Sequence, residues 1–255
     1  MIKALRTVEE LKSWRSAQDG PLGFVPTMGA LHEGHRALLE ASVKENDRTV
    51  LSIFVNPTQF NDPKDFEKYP ITWEDDLALA EKAGVDAVFA PDRQALYPDD
   101  YTYRLSETDF SRSLCGAHRP GHFDGVLTVV MKLFHIVQPT KAYFGEKDGQ
   151  QLQLIQGMVK AFFMNLVIVP VPTVREADGL AMSSRNRRLS PEERKLAPEI
   201  YRALTESPSA EAAARRLQEK GFRVDYVEDR EGRRYAAAFL GETRLIDNVE
   251  VPRGV

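Results

Sequence analysis

Residues 26–42, PTMGALHEGHRALLEAS, carry two histidines, His32 and His35, three positions apart around Glu33 and Gly34. They fall where an apolar, strand-like run gives way to a helical pattern. Two histidines at the mouth of a helix admit four readings: metal ligands, an acid–base pair, phosphate contacts, or polar residues that merely start the helix. The metalloprotease signature needs histidines at i and i+4. A zinc site needs further His or Cys at matching spacing, and only His118, His122 and His135 remain as histidines. No metal site built from side chains is therefore assigned. The phosphate reading fits better. Unpaired N–H groups and the dipole at a helix start favour an anion. Gly29 and Gly34 allow the backbone to approach it, and imidazole N–H groups can follow charge developing on a phosphate. The spacing alone does not separate this from a plain helix start.

Three further clusters bear on that choice. FGEKDGQQL, residues 144–152, follows a short apolar run. Lys147 can neutralise phosphate as a point charge. Asp148 can cap the following helix or hold a metal-bound water, and Gln150 and Gln151 suit hydroxyls or a carboxylate. A capped surface helix with a solvated Lys–Asp pair is the bland alternative. LAMSSRN, residues 180–186, offers two hydroxyls and an arginine to a polyphosphate, or is a flexible linker. FVNPTQF, residues 54–60, presents Asn56 and Gln59 from a turn whose φ is fixed by Pro57. That suits a small polar substrate, or is only a turn.

The elements that must position these residues are legible as a pattern. A chain of 255 residues, 42% hydrophobic and 28% charged, is globular and has room for one domain plus a smaller one. A net charge of −4 gives no general reason to bind nucleic acid or an anionic membrane. The one cysteine, Cys115, excludes an internal disulfide and points to a reducing compartment, with the cytoplasm as the default. MIKALRTVEELKSWR reads as an amphipathic helix rather than a signal peptide, and no apolar stretch reaches the ~18 residues of a membrane span. Apolar runs GFVPTMG, TVLSIFVN, VDAVFAP, KAYFG and LVIVPV alternate with helical patterns, among them TWEDDLALAEKAG, with Thr72 as its cap and acids in its first turn. Strands apolar throughout and separated by helices mean a parallel sheet covered on both faces. The fold class is α/β, a doubly wound sheet over residues 1–174 whose ligands bind at strand carboxyl ends. Residues 175–255 form a small α+β domain: a polar stretch, helices over SPEERKLAPEIYRALTE and SAEAAARRLQEKG, then strand-like segments.

Taken together, PTMGALHEGH, SIFVNPTQF, YPITWEDD, RPGHFDGV, YFGEKDGQQL and READGLAMSSRN resemble, in this order, the pantothenate synthetase (pantoate–β-alanine ligase) family. The resemblance spans nearly the whole chain and weakens after about residue 206. The first motif is a variant of the H-I-G-H signature of the nucleotidyltransferase superfamily. MSSR stands where class I tRNA synthetases carry their lysine-containing second signature. The resemblance implies a Rossmann-like fold and a two-step ligation. ATP and pantoate give pantoyl adenylate and pyrophosphate, and β-alanine then gives pantothenate and AMP. It implies that Met28, Gly29, Ala30, Leu31, His32, Glu33, Gly34 and His35 contact ATP, with His35 as proton donor and His32 beside it. Gly145, Glu146, Lys147 and Asp148 would join them, Lys147 on the phosphates. Val174, Met182, Ser183, Ser184 and Arg185 would complete the nucleotide site, the small domain closing over it. Gln59 and Gln151 would hold pantoate, Gln59 also lying near β-alanine. Mg2+ would accompany ATP through phosphate oxygens and water, and the enzyme would be a cytoplasmic homodimer. Two departures stand out: Gly149 replaces a larger residue, so the loop after Asp148 is expected to be looser, and the second domain is shorter than the family's, ESPSAEAAARR replacing a longer helical insert. The rival readings are a nucleotidyltransferase acting on a phosphate acceptor, which has no need of the paired glutamines, a tRNA-binding or tRNA-charging module, which the acidic balance disfavours, and a non-catalytic nucleotide binder.

Overall fold

The computed structural model describes residues 2–61 and 63–251. Its contacts divide the chain into two units. One runs through Gly145 and again over Gln150–Val171; the other comprises Glu146–Gly149 and the chain from Pro172 onward.

The first unit is the expected doubly wound sheet. Its strands are β1 (Lys3–Leu5), β2 (Leu22–Thr27), β3 (Arg48–Ile53), β4 (Ala87–Phe89), β5 (Lys141–Gly145) and β6 (Val167–Val171). They lie in the order β1-β4-β3-β2-β5-β6, every pair parallel. Residues 22–25 and 49–52 are buried without alternation, as a sheet covered on both faces requires. Val25, Leu39, Leu51, Ala80, Val88 and Tyr143 pack one face of this core. The strand order reverses between β2 and β5, which pair only at Gly23–Lys141 and Phe24–Ala142, whereas β2 follows β3 as far as Thr27–Ile53. Pro26 has no N–H with which to continue a ladder, and a switch point of this kind opens a ligand crevice at the carboxyl ends. At the far edge, β6 includes Pro170.

The N-terminal reading needs correction. Met1 lies outside the described residues; Lys3–Leu5 form the edge strand β1, and the helix runs only over Val8–Ser16. Thr7 sets that start: its hydroxyl accepts the Glu10 N–H at 3.1 Å, and the Glu10 carboxylate accepts the Thr7 N–H at 3.1 Å. Leu5, 1% exposed, is core.

In the second unit, β7 (Arg223–Arg230), β8 (Arg233–Leu240) and β9 (Thr243–Glu250) make an antiparallel meander joined by two-residue turns. The helices Glu199–Glu206 and Ala210–Glu219 pack on it through Ile200, Leu204, Leu217, Ala236 and Leu245. The tract expected as one helix over SPEERKLAPEIYRALTE is two, Pro191–Leu196 and Glu199–Glu206. Pro198 sits at the break, where it starts a helix but cannot continue one.

Candidate active site

The turn after β2 is built by a residue outside the motif itself. Gly29 and Ala30 both have positive φ, 81° and 51°, which turns the chain sharply and leaves two backbone N–H groups pointing inward. Asp76, 2% exposed, takes them: Oδ2 accepts from Ala30 at 3.0 Å and Oδ1 from Leu31 at 2.8 Å. Thr72 stands at the N-cap of its helix but makes no capping bond; its hydroxyl instead donates to Asp76 at 3.0 Å. The acids of this first helical turn, read from the sequence as dipole partners, thus include the anchor of the histidine turn. Ala30 and Leu31 bury their side chains and give their N–H groups to Asp76, so what they offer a ligand is backbone carbonyl.

The helix Glu33–Glu45 begins with the histidines as its caps. Nδ1 of His32 accepts the Gly34 N–H at 3.1 Å, and Nδ1 of His35 accepts the His32 N–H at 3.3 Å. The rings lie 4.1 Å apart. An imidazole nitrogen that accepts an N–H carries no proton, so both neutral rings hold theirs on Nε2. The expectation of unpaired amides at this helix start therefore shifts: the Gly34 amide is spent on His32, and the pair's donor capacity resides in two Nε2–H groups. Glu33, half-exposed, pairs with Arg36 at 3.0 Å.

Met28 and Gln59 meet in the same unit, the Gln59 amide donating to Met28 Sδ at 3.1 Å. The turn Pro57–Gln59 is fixed by Asn56, 1% exposed. Asn56 Nδ2 donates to Gln59 Oε1 and to the Gly125 carbonyl, both at 3.1 Å, while Oδ1 accepts the Tyr97 hydroxyl at 2.9 Å. Burial pushes Tyr97 up to about 12. Gly125 is required here: a Cβ would stand 2.5 Å from the Thr58 carbonyl oxygen. The Gln59 carbonyl accepts Nδ1–H of His122 at 2.8 Å and Nη2–H of Arg119 at 3.1 Å. Arg119 also faces Nε2 of His122 at 3.2 Å, which assigns that ring's proton to Nδ1. RPGHFDGV thus braces Gln59, a role the sequence motif did not disclose.

The two adjacent glutamines separate. Gln150, 5% exposed, accepts the Cys115 N–H at 3.0 Å and donates to the Phe110 and Ser113 carbonyls at 2.8 Å each. It ties down residues 110–115, and both hydrogens of its amide are taken up there. Gln151 is half-buried, at the start of the helix Gly149–Ala161.

In the second unit, Lys147, Ser183, Arg185, Asn186 and Arg244 line one small cavity of about 10 Å³. Three of the expected ATP residues therefore converge. The Met182 N–H donates to the Val174 carbonyl at 3.0 Å, bringing that pair together as well. The Ser183 hydroxyl accepts the Arg185 N–H at 3.2 Å and opens the short turn Ser184–Arg188; a hydroxyl that accepts keeps its own hydrogen to donate. Gly145 ends β5, with open space where a Cβ would stand. Glu146 faces Arg233 at 3.6 Å, and Asp148 faces Lys147 at 3.8 Å. The loop after Asp148 is not loose. A Cβ on Gly149 would lie 3.1 Å from both Tyr235 and Asn248, which occupy that space. Among the described residues no three His, Cys, Asp or Glu side chains gather as a metal site.

A family model for pantoate-β-alanine ligase matches residues 2–250. The chain belongs to that family. This ligase is 64% identical, over 98% of its length and 100% of the relative's, to the pantothenate synthetase of Bdellovibrio bacteriovorus. A solved pantothenate synthetase from Thermus thermophilus matches it with a TM-score of 0.89 at 44% identity, over 98% of this chain and 100% of that one. The pantoate-β-alanine ligase of Francisella tularensis, solved in complex with beta-gamma ATP and β-alanine, matches with a TM-score of 0.93 at 38% identity, over 98% of each chain. The rival readings fall with this result. No helix among the described residues of the ligase is long and apolar enough to cross a membrane.

Proposed function

We propose that this ligase condenses (R)-pantoate with β-alanine through a pantoyl adenylate. A pantoate carboxylate oxygen attacks the α-phosphorus of ATP; the bond from that phosphorus to the bridging oxygen breaks, and pyrophosphate leaves. The β-alanine amine then attacks the acyl carbon. The C–O bond to AMP breaks, the nitrogen gives up a proton, and pantothenate and AMP depart. Activation is needed because a carboxylate is a poor electrophile.

The observation that carries this reading is the histidine pair. Two rings whose Nδ1 atoms are held by backbone N–H groups keep Nε2–H as donor, the form that stabilises charge growing on an α-phosphate and its leaving group. His35 is assigned the closer catalytic role, with His32 beside it. Lys147 and Arg185 neutralise phosphate charge, Arg185 by a two-pronged contact. Ser183 and Ser184 add hydroxyl donors. Met28–Leu31, Gly34, Gly145, Val174 and Met182 complete the ATP contacts, along with Glu33, Glu146 and Asp148. Gln59 and Gln151 take pantoate, and Gln59 takes β-alanine. Their uncharged amides match a hydroxyl-bearing carboxylate. The Francisella relative, solved with a nucleotide and β-alanine, supports both substrates.

Mg2+ fits as a companion of ATP. With no cluster of acidic side chains among the described residues, the phosphates would hold the ion, and Asp148, about half-exposed beside Lys147, would reach its water shell. When bound, the ion neutralises triphosphate charge. A cytoplasmic homodimer completes the proposal, the compartment resting on the single, buried Cys115 and the dimer on the family resemblance.

The test is isotope exchange. Labelled pyrophosphate should enter ATP when pantoate is present and β-alanine is absent. Exchange that required β-alanine would mean a concerted path.

A further inference from the structure

The loop carrying Lys147 is held by one side chain from the last strand. Asn248, 2% exposed, donates both amide hydrogens to consecutive main-chain carbonyls, Glu146 and Lys147, each at 2.9 Å. Its Oδ1 accepts Nε–H of Arg233 at 2.7 Å. No hydrogen-bonding capacity of the amide's donor side is left over. Its backbone is fixed too. The Asn248 N–H donates to Asp247 Oδ1 at 2.8 Å, and Asp247 is gripped by Arg175 through two bonds of 2.6 and 3.0 Å. Arg175 in turn lies 3.9 Å over the Tyr201 ring and donates to the Gly179 carbonyl at 3.1 Å. Burial pushes the Asp247 carboxyl up while Arg175 opposes that shift. Gly149 leaves the room in which the Asn248 amide sits.

We propose that Asn248 is a positioning residue for Lys147, fixing where its ammonium meets the phosphates of ATP. The proposal rests on the reading of Lys147 as a phosphate contact. Two carbonyls gripped by one planar amide fix the turn's direction, and with it the origin and heading of the Lys147 side chain. A carbonyl clamp is better suited to this than a contact to the ammonium itself, because it adds no competing charge at the phosphate site. Arg175 and Asp247 orient the clamp from behind through its backbone N–H, and the Asp247 carboxylate also attracts the Lys147 charge.

The experiment compares Asn248→Asp, Asn248→Ala, Lys147→Ala and the double variant Lys147→Ala/Asn248→Ala in the full chain. The readouts are pyrophosphate–ATP exchange, the KM for ATP, the KM for pantoate and the melting temperature. Asn248→Asp keeps shape and the Arg233 contact but sets an acceptor against two carbonyls. It should raise the ATP requirement or slow exchange by about tenfold to a hundredfold, leaving the pantoate KM within about twofold. The double variant should be no worse in exchange than Lys147→Ala alone, since the clamp acts through Lys147. Equal effects on both substrates, or losses in the double variant that multiply, would overturn the proposal. A Lys147→Ala variant that uses ATP normally would instead overturn the phosphate reading beneath it. If the Asn248 variants do not fold, Gly149→Ala and Arg233→Gln perturb the amide from either side. They should shift ATP use in the same direction by less; no selective shift in either overturns the proposal.

Discussion

The main-chain N–H of His32 donates to Nδ1 of His35, 3.3 Å away. One histidine therefore both caps the helix through its own Nδ1 and depends on the other for its backbone bond, so capping and chemistry are superimposed on the same two rings. Asparagine separates them, being a strong N-cap without an Nε2–H. His32→Asn should melt close to the parent while pyrophosphate exchange falls by roughly 10²–10³-fold. His35→Ala should lose exchange similarly and also lose about 0.5–2 kcal/mol of stability with the capping contact. Near-parental exchange in either folded variant would remove that histidine from the reaction.

Asp76 gives a stability prediction with a functional echo. Asp76→Ala strands two buried N–H groups, those of Ala30 and Leu31, at about 1–3 kcal/mol each. Urea unfolding should show a loss of a few kcal/mol, and exchange should fall in the protein that remains folded, because the histidine turn loses its anchor. A stable variant with full exchange would show that the turn holds itself.

The paired glutamines should part company in kinetics as they do in contacts. Gln150→Ala removes three bonds to backbone groups of residues 110–115 and should lower the melting temperature with little change in pantoate KM. Gln151→Ala and Gln59→Ala should raise the pantoate requirement more than the ATP requirement, by roughly 1–3 kcal/mol in binding terms. Equal shifts for both substrates would mark Gln59 and Gln151 as pocket walls only.

Two tyrosines set an alkaline limit. Burial raises Tyr97 and Tyr143 from the ordinary 10.0 to about 12 each. A raised phenol pKa leaves the folded-state advantage intact below pH 10 and removes it as pH climbs toward 12. Chemical denaturation across that window should show stability falling, and Tyr97→Phe should flatten the fall by about one proton's slope. Identical slopes would mean Tyr97 ionises as freely folded as unfolded.

The doubly wound sheet was legible because its strands are apolar runs between helical patterns, a signal carried by each segment alone. The histidine turn, Lys147 and the Ser183–Arg185 loop were legible as motifs. What braces them was not. Asp76 binds backbone N–H groups 46 and 45 positions away, and Asn248 binds carbonyls 102 and 101 positions away. A side chain that recognises backbone has a partner of no particular residue type, so no pairing of letters betrays it. Gln150 and Gln151 were indistinguishable for a related reason: the two read alike, and only the packing of residues 110–115 tells them apart. The helix start at Val8 and the break at Pro198 were readable from Thr7–Glu10 and from the proline, but amphipathic periodicity on either side masked both.

Pro170 has a bearing on how the purified protein behaves. β6 is the last strand of its sheet, and near it Phe162, Phe163 and Val167 are 55%, 94% and 58% exposed. An apolar border of this kind is a template on which a second molecule can add its own strand, the first step toward fibrils and precipitate. A proline takes one N–H out of that template. Replacing it with valine would suit the strand, yet turn this border into a place where molecules stick to one another on concentration or storage.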